Sequence, residues 1–179
     1  VITTLARVEK RKGHKFILNA LSEIKKDFPN IIYLIAGKGP YLDEIKSYSR
    51  KLKVENHIRF LGWITEPEKS LILKNSDLFV MTPSVIGESV EGFGMSFIDA
   101  AFHGVASIGT DSGGISDAIV NNQTGLLCVP ENQKDITEKI RSLLIDNQKR
   151  VQMGINGKKR AEQFFTWKSK IDEYLEVIE

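Results

Sequence analysis

The 179-residue sequence carries 25 lysines and arginines against 23 aspartates and glutamates, a formal net charge of +2, too small a balance to argue for nucleic acid. Its length suffices for one substantial core and is marginal for two, and with 41% apolar and 27% charged residues it has the make-up of an ordinary globular domain. No apolar run is long enough to span a bilayer, no stretch reads as a signal peptide, and the single cysteine, Cys128, sits in an apolar run with no partner for a disulfide, which fits a buried thiol in a reducing cytosol.

In chain order, short apolar and β-branched runs alternate with longer amphipathic stretches. Strands are expected at Val1 to Leu5, Ile31 to Ala36, Ile58 to Leu61, Asp77 to Met81, Val105 to Ile108 and Leu126 to Val129. Near-continuous apolar runs of this length suit parallel strands buried on both faces. Helices are expected near His14 to Lys26, Tyr41 to Leu52, Glu68 to Lys74, Gly94 to Phe102, Ile115 to Asn121 and Gln133 to Leu144, with a tail of Asn147 to Gln163, a break near Thr166, and Trp167 to Val177. The alternation predicts an α/β fold, a three-layer Rossmann-like domain with a parallel six-stranded sheet and helices on both faces. Such sheets bind ligands beyond the carboxyl ends of their strands, where strand order reverses. The sequence opens at Val1 directly in an apolar stretch, and the expectation is one domain, residues 1–179, of a longer protein.

The stretch Glu91-Gly92-Phe93-Gly94-Met95-Ser96-Phe97-Ile98-Asp99 carries the most chemistry. It sets two carboxylates on either side of a glycine-rich strand-to-helix turn. Glycines there let a ligand approach the backbone, and the first amides of the new helix, with its dipole, favour an anion. The carboxylates would repel phosphate and are better suited to accept hydrogen bonds from hydroxyls. A ligand with hydroxyls at both ends and phosphate between them has the layout of a nucleotide-sugar. Other signals are weaker. Gly37-Lys38-Gly39 lacks the third glycine of a nicotinamide fingerprint. His14, His57 and His103 show no metal-ligand spacing, so no metal is assigned. The basic clusters Lys10-Arg11-Lys12 and Lys158-Lys159-Arg160 stand out, and the second is read as a solvated face.

Together these residues resemble the carboxyl-terminal domain of glycosyltransferase family 4, retaining sugar transferases built from two Rossmann-like domains facing across a cleft (GT-B). The resemblance rests on Arg7 followed by Lys12-Gly13, on Ile35-Ala36-Gly37-Lys38-Gly39-Pro40, on Phe60-Leu61-Gly62, and on Ser76 to Val80 with Pro83-Ser84. It continues through Glu91 to Asp99, Gly113-Gly114, and Gly125-Leu126-Leu127 leading to Pro130. It covers essentially the whole chain, and the order and spacing of the parts carry it.

The resemblance implies a donor-binding domain. Arg7 and Lys12 match the basic pair that holds the diphosphate and neutralises the charge growing on the leaving nucleoside diphosphate. Glu91 matches the glutamate that contacts donor-sugar hydroxyls. Gly92, Phe93, Gly94 and Met95 would offer amides to the phosphates. Asp99 stands where the family has a second glutamate on the ribose, and as an aspartate it reaches about 1.5 Å less, one carbon–carbon bond. Gly62 and Trp63 fall in the loop that holds the nucleobase edge, with Trp63 either stacked on the base or packed at the domain edge. Ser84 and Glu88 precede the motif and are candidates for lining the sugar pocket. Asp117 is expected to be structural. The tail resembles the family's last helix, which crosses back onto the amino-terminal domain, so Trp167, Tyr174 and Leu175 are expected to be exposed or differently packed without it.

The implied activity is hexose transfer from a nucleoside diphosphate sugar to a glycan, lipid-linked or small-molecule acceptor with retention, with no cofactor beyond that substrate and no nucleic-acid partner. The partners implied are the protein's own amino-terminal domain, the acceptor, and a peripheral membrane surface reached through the other domain; the isolated chain is expected to turn over nothing. Two alternatives stay open: a non-catalytic module of this fold whose Asp99 marks lost chemistry, and a sugar-nucleotide epimerase of the same architecture.

Overall fold

The computed structural model describes residues 1–87, 89–169 and 171. Six strands form one parallel sheet: β1 (Ile2–Leu5), β2 (Tyr33–Ala36), β3 (Ile58–Gly62), β4 (Leu78–Val80), β5 (Ser107–Thr110) and β6 (Gly125–Cys128), in the order β3-β2-β1-β4-β5-β6. The chain builds outward from β1 to β3, then returns to place β4 against the other side of β1, with Ile2 opposite Leu78 and Thr3 opposite Phe79. Strand order therefore reverses between β1 and β4. Every residue of β1, β4, β5 and β6 is buried, as a sheet covered on both faces requires, whereas the edge strand β3 buries only Ile58.

Helices α1 (His14–Ile24), α2 (Leu42–Lys51) and α6 (Gln133–Ile145) cover one face. Ile17, Leu18, Ile45, Ile136 and Ile140 pack there with Tyr33, Ile35 and Val80. Helices α3 (Glu66–Lys74), α4 (Met95–Phe102) and α5 (Ile115–Ala118) cover the other, where Leu73, Phe97, Ile98 and Ile115 meet Leu5, Phe79 and Met81. The long helix α7 (Asn147–Phe164) packs along α4. Alternate strand residues feed the two faces, so the strands build both cores at once.

Element boundaries differ from the sequence reading where local chemistry intervenes. β5 begins two residues later than expected, because the Val105 N–H donates to the Ala100 carbonyl (3.0 Å) and closes the end of α4. α3 starts at Glu66 rather than Glu68. Thr65 caps it, the Glu68 carboxylate reaches back to the Thr65 N–H (2.7 Å), and Pro67 sits in the first turn. α4 starts at Met95; Gly94, at φ +80°, lies outside it as the cap. α5 stops at Ala118 instead of running to Asn121, since Ile119 turns extended and the Val120 N–H donates to Thr124 Oγ1 (2.9 Å). The break expected near Thr166 is present: α7 ends at Phe164, and Thr166 Oγ1 accepts the Ser169 N–H (3.1 Å). Trp167 is 87% exposed, and residues 167–169 and 171 are helical, whereas 170 and 172–179, Tyr174 and Leu175 among them, lie outside the described residues, as does Glu88.

Candidate functional site

The reversal point between β1 and β4 organises the site. After β1 the chain passes through Ala6 and Arg7 into a 3-10 turn at Lys10–Lys12 before entering α1. That turn is stitched to the segment leaving β4. The Ser84 N–H donates to the Arg11 carbonyl (2.8 Å), and Thr82 Oγ1 donates to the Gly13 carbonyl (3.1 Å). Gly13 holds φ +76°, and a Cβ there would lie 2.0 Å from the Thr82 carbonyl oxygen, so the approach demands glycine. On the other side Ser96 Oγ, in the first turn of α4, donates to the Leu5 carbonyl at the end of β1 (2.7 Å). The Gly114 N–H donates to the Glu91 carbonyl (3.2 Å), and a Cβ on Gly114 would come within 1.9 Å of the Gly92 carbonyl oxygen. The Glu91–Gly94 segment is thus backed by the turn after β5 and tied through α4 to the end of β1.

A chain of charged groups runs through this point. Glu91 Oε2 accepts Lys12 Nζ (2.6 Å) and Arg11 Nη1 (2.8 Å). Arg11 Nε donates to Glu9 Oε2 (3.2 Å), and Glu9 Oε1 pairs with Arg7 Nη1 (3.0 Å). Lys12 and Glu91 are nearly buried, with 10% and 12% of their side chains exposed, while Arg7 stands 75% exposed. Burial of Glu91 opposes its ionisation, but Lys12 and Arg11 outweigh that cost and hold the carboxyl below its ordinary range. Three cations against two carboxylates leave the cluster positive. Lys12 is not the solvated loop lysine that the residue alone suggests.

Asp99 lies one turn further along α4 and keeps different company. Its Oδ2 pairs with Lys69 Nζ (3.1 Å) on α3, and Lys69 also holds Glu66 Oε2 (2.8 Å). Among the described residues no ion pair or hydrogen bond links Asp99 to the Glu91 cluster. His103 Nδ1 bonds the Asp99 carbonyl (2.7 Å) and its Nε2 bonds Ser70 Oγ (2.9 Å), so that ring ties α3 to α4. Gly62 ends β3 with φ +67°, and its carbonyl accepts the Gly37 N–H (2.6 Å), placing the loop after β3 beside the end of β2. Trp63, next along, is 70% exposed and is not packed into the domain edge.

The other expected residues divide between two cavities. Phe93 and Met95 line one of about 280 Å³ with Ile98, Phe165, Thr166 and Trp167. Phe93 is half-buried and meets Phe165 edge to face at 5.5 Å. Ser84 lines a larger one of about 550 Å³ with Lys10, Lys15, Tyr41 and Tyr48 on the α1 side. Asp117 offers its backbone carbonyl to Arg160 Nη2 (2.7 Å). Arg7, Lys12, Glu91 and the opening of α4 lie at the carboxyl edge of the sheet with Asp99 further along α4, and neither of these cavities is lined by Arg7, Lys12, Glu91 or Asp99.

Glu9, Arg11 and Lys69 were not singled out from the sequence. Arg11 was visible only as a member of a basic run. Its role depends on a carboxylate 80 residues away.

The family model for glycosyl transferases group 1 matches residues 1–160. The chain belongs to that family. Among curated relatives it is similar to a GDP-mannose-dependent alpha-(1-6)-phosphatidylinositol monomannoside mannosyltransferase of Mycobacterium tuberculosis, 29% identical over 168 residues, covering 93% of this chain and 44% of the relative. It is also similar to the glycogen synthase of the same organism, at 27% over 165 residues, 92% of this chain and 39% of that one. The chain thus spans less than half the length of these relatives. Among solved structures, Anabaena Alr3699/HepE in complex with UDP and glucose superposes with a TM-score of 0.87 at 20% identity, over 99% of this chain and 47% of that one. The carboxyl-terminal domain of a glycosyl transferase group 1 protein, LpcC from Francisella tularensis, gives 0.82 at 23%, over 93% of this chain and 86% of that one. At these identities the structural likeness establishes a shared fold: a six-stranded Rossmann-like domain of the kind found in group 1 transferases.

Proposed function

We propose that this chain is the donor-binding half of a retaining hexosyltransferase, and that the full protein moves a hexose from a nucleoside diphosphate sugar to a glycan, lipid-linked or small-molecule acceptor. The observation that carries the reading is the Lys12–Glu91–Arg11 clamp at the reversal point of the sheet, a positive cluster beside the opening of a helix, in a chain of this family.

In this reading the diphosphate lies against Lys12, Arg7 and the amides from Gly92 to Met95. The first amides of α4 have no acceptor within their own helix and carry the positive end of its dipole. Lys12 and Arg7 then stabilise the charge that accumulates on the departing nucleoside diphosphate, which grows as the glycosidic bond breaks and is therefore worth more in the transition state than in the ground state. Arg7 must leave Glu9 to reach the phosphates, which its exposure allows. Glu91 accepts hydrogen bonds from hydroxyls of the hexose. Asp99 takes the ribose, with Lys69 fixing the shorter carboxylate. Gly62 and Trp63 border the base. Cys128 is a buried free thiol, which fits a reducing, cytoplasmic setting. The acceptor site belongs to a second domain, consistent with the share of the relatives' length that this chain spans.

Calorimetry with UDP and GDP tests this directly. Binding of one of them in the micromolar to millimolar range, without sugar release from UDP-glucose or GDP-mannose, is expected. No heat at millimolar nucleotide would refute the donor-site assignment, and turnover by the chain alone would refute the half-enzyme assignment.

A further inference from the structure

We propose that Arg11 is a positioning residue for donor-sugar recognition, holding Glu91 by the same oxygen that Lys12 holds and so leaving the other carboxylate oxygen to accept hydroxyls of the hexose. The inference rests on the donor-domain reading above and adds to it a residue and a division of labour.

Both cations converge on Glu91 Oε2, at 2.6 Å and 2.8 Å. A carboxylate offers about four lone-pair sites on its two oxygens. With both donors on one oxygen, the group is fixed in rotation, and among the described residues no hydrogen bond reaches Oε1. Arg11 is itself held at three points. Its Nη1 reaches Glu91, its Nε reaches Glu9, and its carbonyl accepts the Ser84 N–H at 2.8 Å. The guanidinium fork lets one side chain bridge two carboxylates in a fixed geometry, which a lysine ammonium does less well. With Arg11 only 23% exposed, the pair is shielded from solvent far more than a surface ion pair. Lys12 faces the same carboxylate but, in the donor reading, also serves the diphosphate. Arg11 is the cation left to hold Glu91 when the phosphates draw on Lys12.

A rival role is available from the same geometry: Arg11 as a third phosphate cation. The two roles predict different losses. A phosphate cation strengthens nucleoside diphosphate and nucleotide-sugar alike. A positioning residue for Glu91 strengthens only the contribution of the hexose.

The test is calorimetry of the chain with UDP and UDP-glucose, and with GDP and GDP-mannose, for the wild type and for Arg11→Met, Arg11→Gln and Arg11→Lys, with thermal melts to confirm folding. The expected result is a loss of about tenfold in nucleotide-sugar affinity for Arg11→Met, the size of one hydrogen bond to a charged group, with nucleoside diphosphate affinity within about twofold of wild type. Arg11→Lys should restore part of the loss, since an ammonium can hold Glu91 but not Glu91 and Glu9 together. Should Arg11→Met melt below the assay temperature, Arg11→Gln carries the same comparison. An equal loss for nucleotide and nucleotide-sugar, no loss for either, or a wild type that gains nothing from the hexose overturns the inference while leaving the nucleotide-binding assignment standing. A wild type that binds no nucleotide overturns the donor reading itself.

Discussion

Lys12 and Glu91, 79 residues apart in the chain, sit 2.6 Å apart at the reversal point of the sheet, each with about a tenth of its side chain exposed. Their pairing joins the turn that follows β1 to the segment that opens α4, so one contact ties the fold to the candidate site.

Substituting Lys12 with Met leaves Glu91 buried with only Arg11. Removing one member of a buried pair strands the other charge, and with one cation remaining the cost is about 2 kcal/mol. Urea denaturation should register that loss. Nucleoside diphosphate affinity should drop with it, by at least about tenfold, whereas a stability loss with unchanged nucleotide binding would remove Lys12 from the donor site.

His14 opens α1 fully buried, with no hydrogen-bond partner for either ring nitrogen, and burial together with the nearby Lys12 charge lowers its pKa from 6.5 to about 4. The folded-state value lies below the unfolded one, so between those values the unfolded chain binds more protons. The contribution is complete above pH 6.5 and is lost as the pH falls toward 4, with a slope approaching about 1.4 kcal/mol per pH unit and a total of about 3 kcal/mol. Denaturant midpoints measured from pH 7 to 4 should fall steeply for the wild type and more gently for His14→Leu. Parallel curves would show that His14 does not govern this window.

The contribution of Glu91 is lost at lower pH than that of His14. Its carboxyl is held under the ordinary value, so its stabilisation is present above about pH 4.5 and fades as the pH falls through the lower folded-state value. Wild type and Glu91→Gln should therefore converge in stability on acidification. A constant difference down to pH 3 would mean the clamp is not ionic.

Gly114→Ala puts a methyl group 1.9 Å from the Gly92 carbonyl oxygen, a backbone atom that cannot step aside alone. The Glu91–Gly94 segment must move. The expectation is a loss of about 2 kcal/mol in stability, within the range for overpacking, together with weaker nucleotide binding. Retained affinity would separate this segment from the ligand.

In the proposed donor reading Asp99 holds the ribose. Asp99→Asn should weaken UDP or GDP binding by about fivefold, the scale of a hydrogen bond to a charged acceptor, and leave the 2′-deoxy nucleotides unaffected. Asp99→Glu, which restores the missing methylene, should tighten binding of the ribonucleotide. If neither substitution alters affinity, Asp99 serves only its ion pair with Lys69.

Much of the architecture was legible because burial on both faces writes apolar, β-branched runs into the sequence, and all six expected strands are present. Both β2 and β5 begin two residues later than expected, β5 because Val105 and Ala106 are as buried as strand residues while Val105 spends its N–H on the end of α4. Of the residues picked out by resemblance, Lys12 and Glu91 meet in the folded chain, Arg7 reaches them through Glu9 and Arg11, and Asp99 pairs with Lys69 instead. Glu9, Arg11 and Lys69 were not legible, because a charged residue in a charged run looks solvated until its partner from another part of the chain arrives.

By itself the sequence determined the alternation of strands and helices, the glycines where the backbone must pass close, and the presence of a carboxylate on either side of a tight turn. Only the tertiary structure decided which charges meet. It put Lys12 and Arg11 on one oxygen of Glu91, gave Asp99 to Lys69 instead, and left Trp63 in solvent. Periodicity and turn chemistry act over a few neighbouring residues and can be read along a line. Charge pairing depends on distances across the sheet, and these exist only once β4 has returned to lie beside β1.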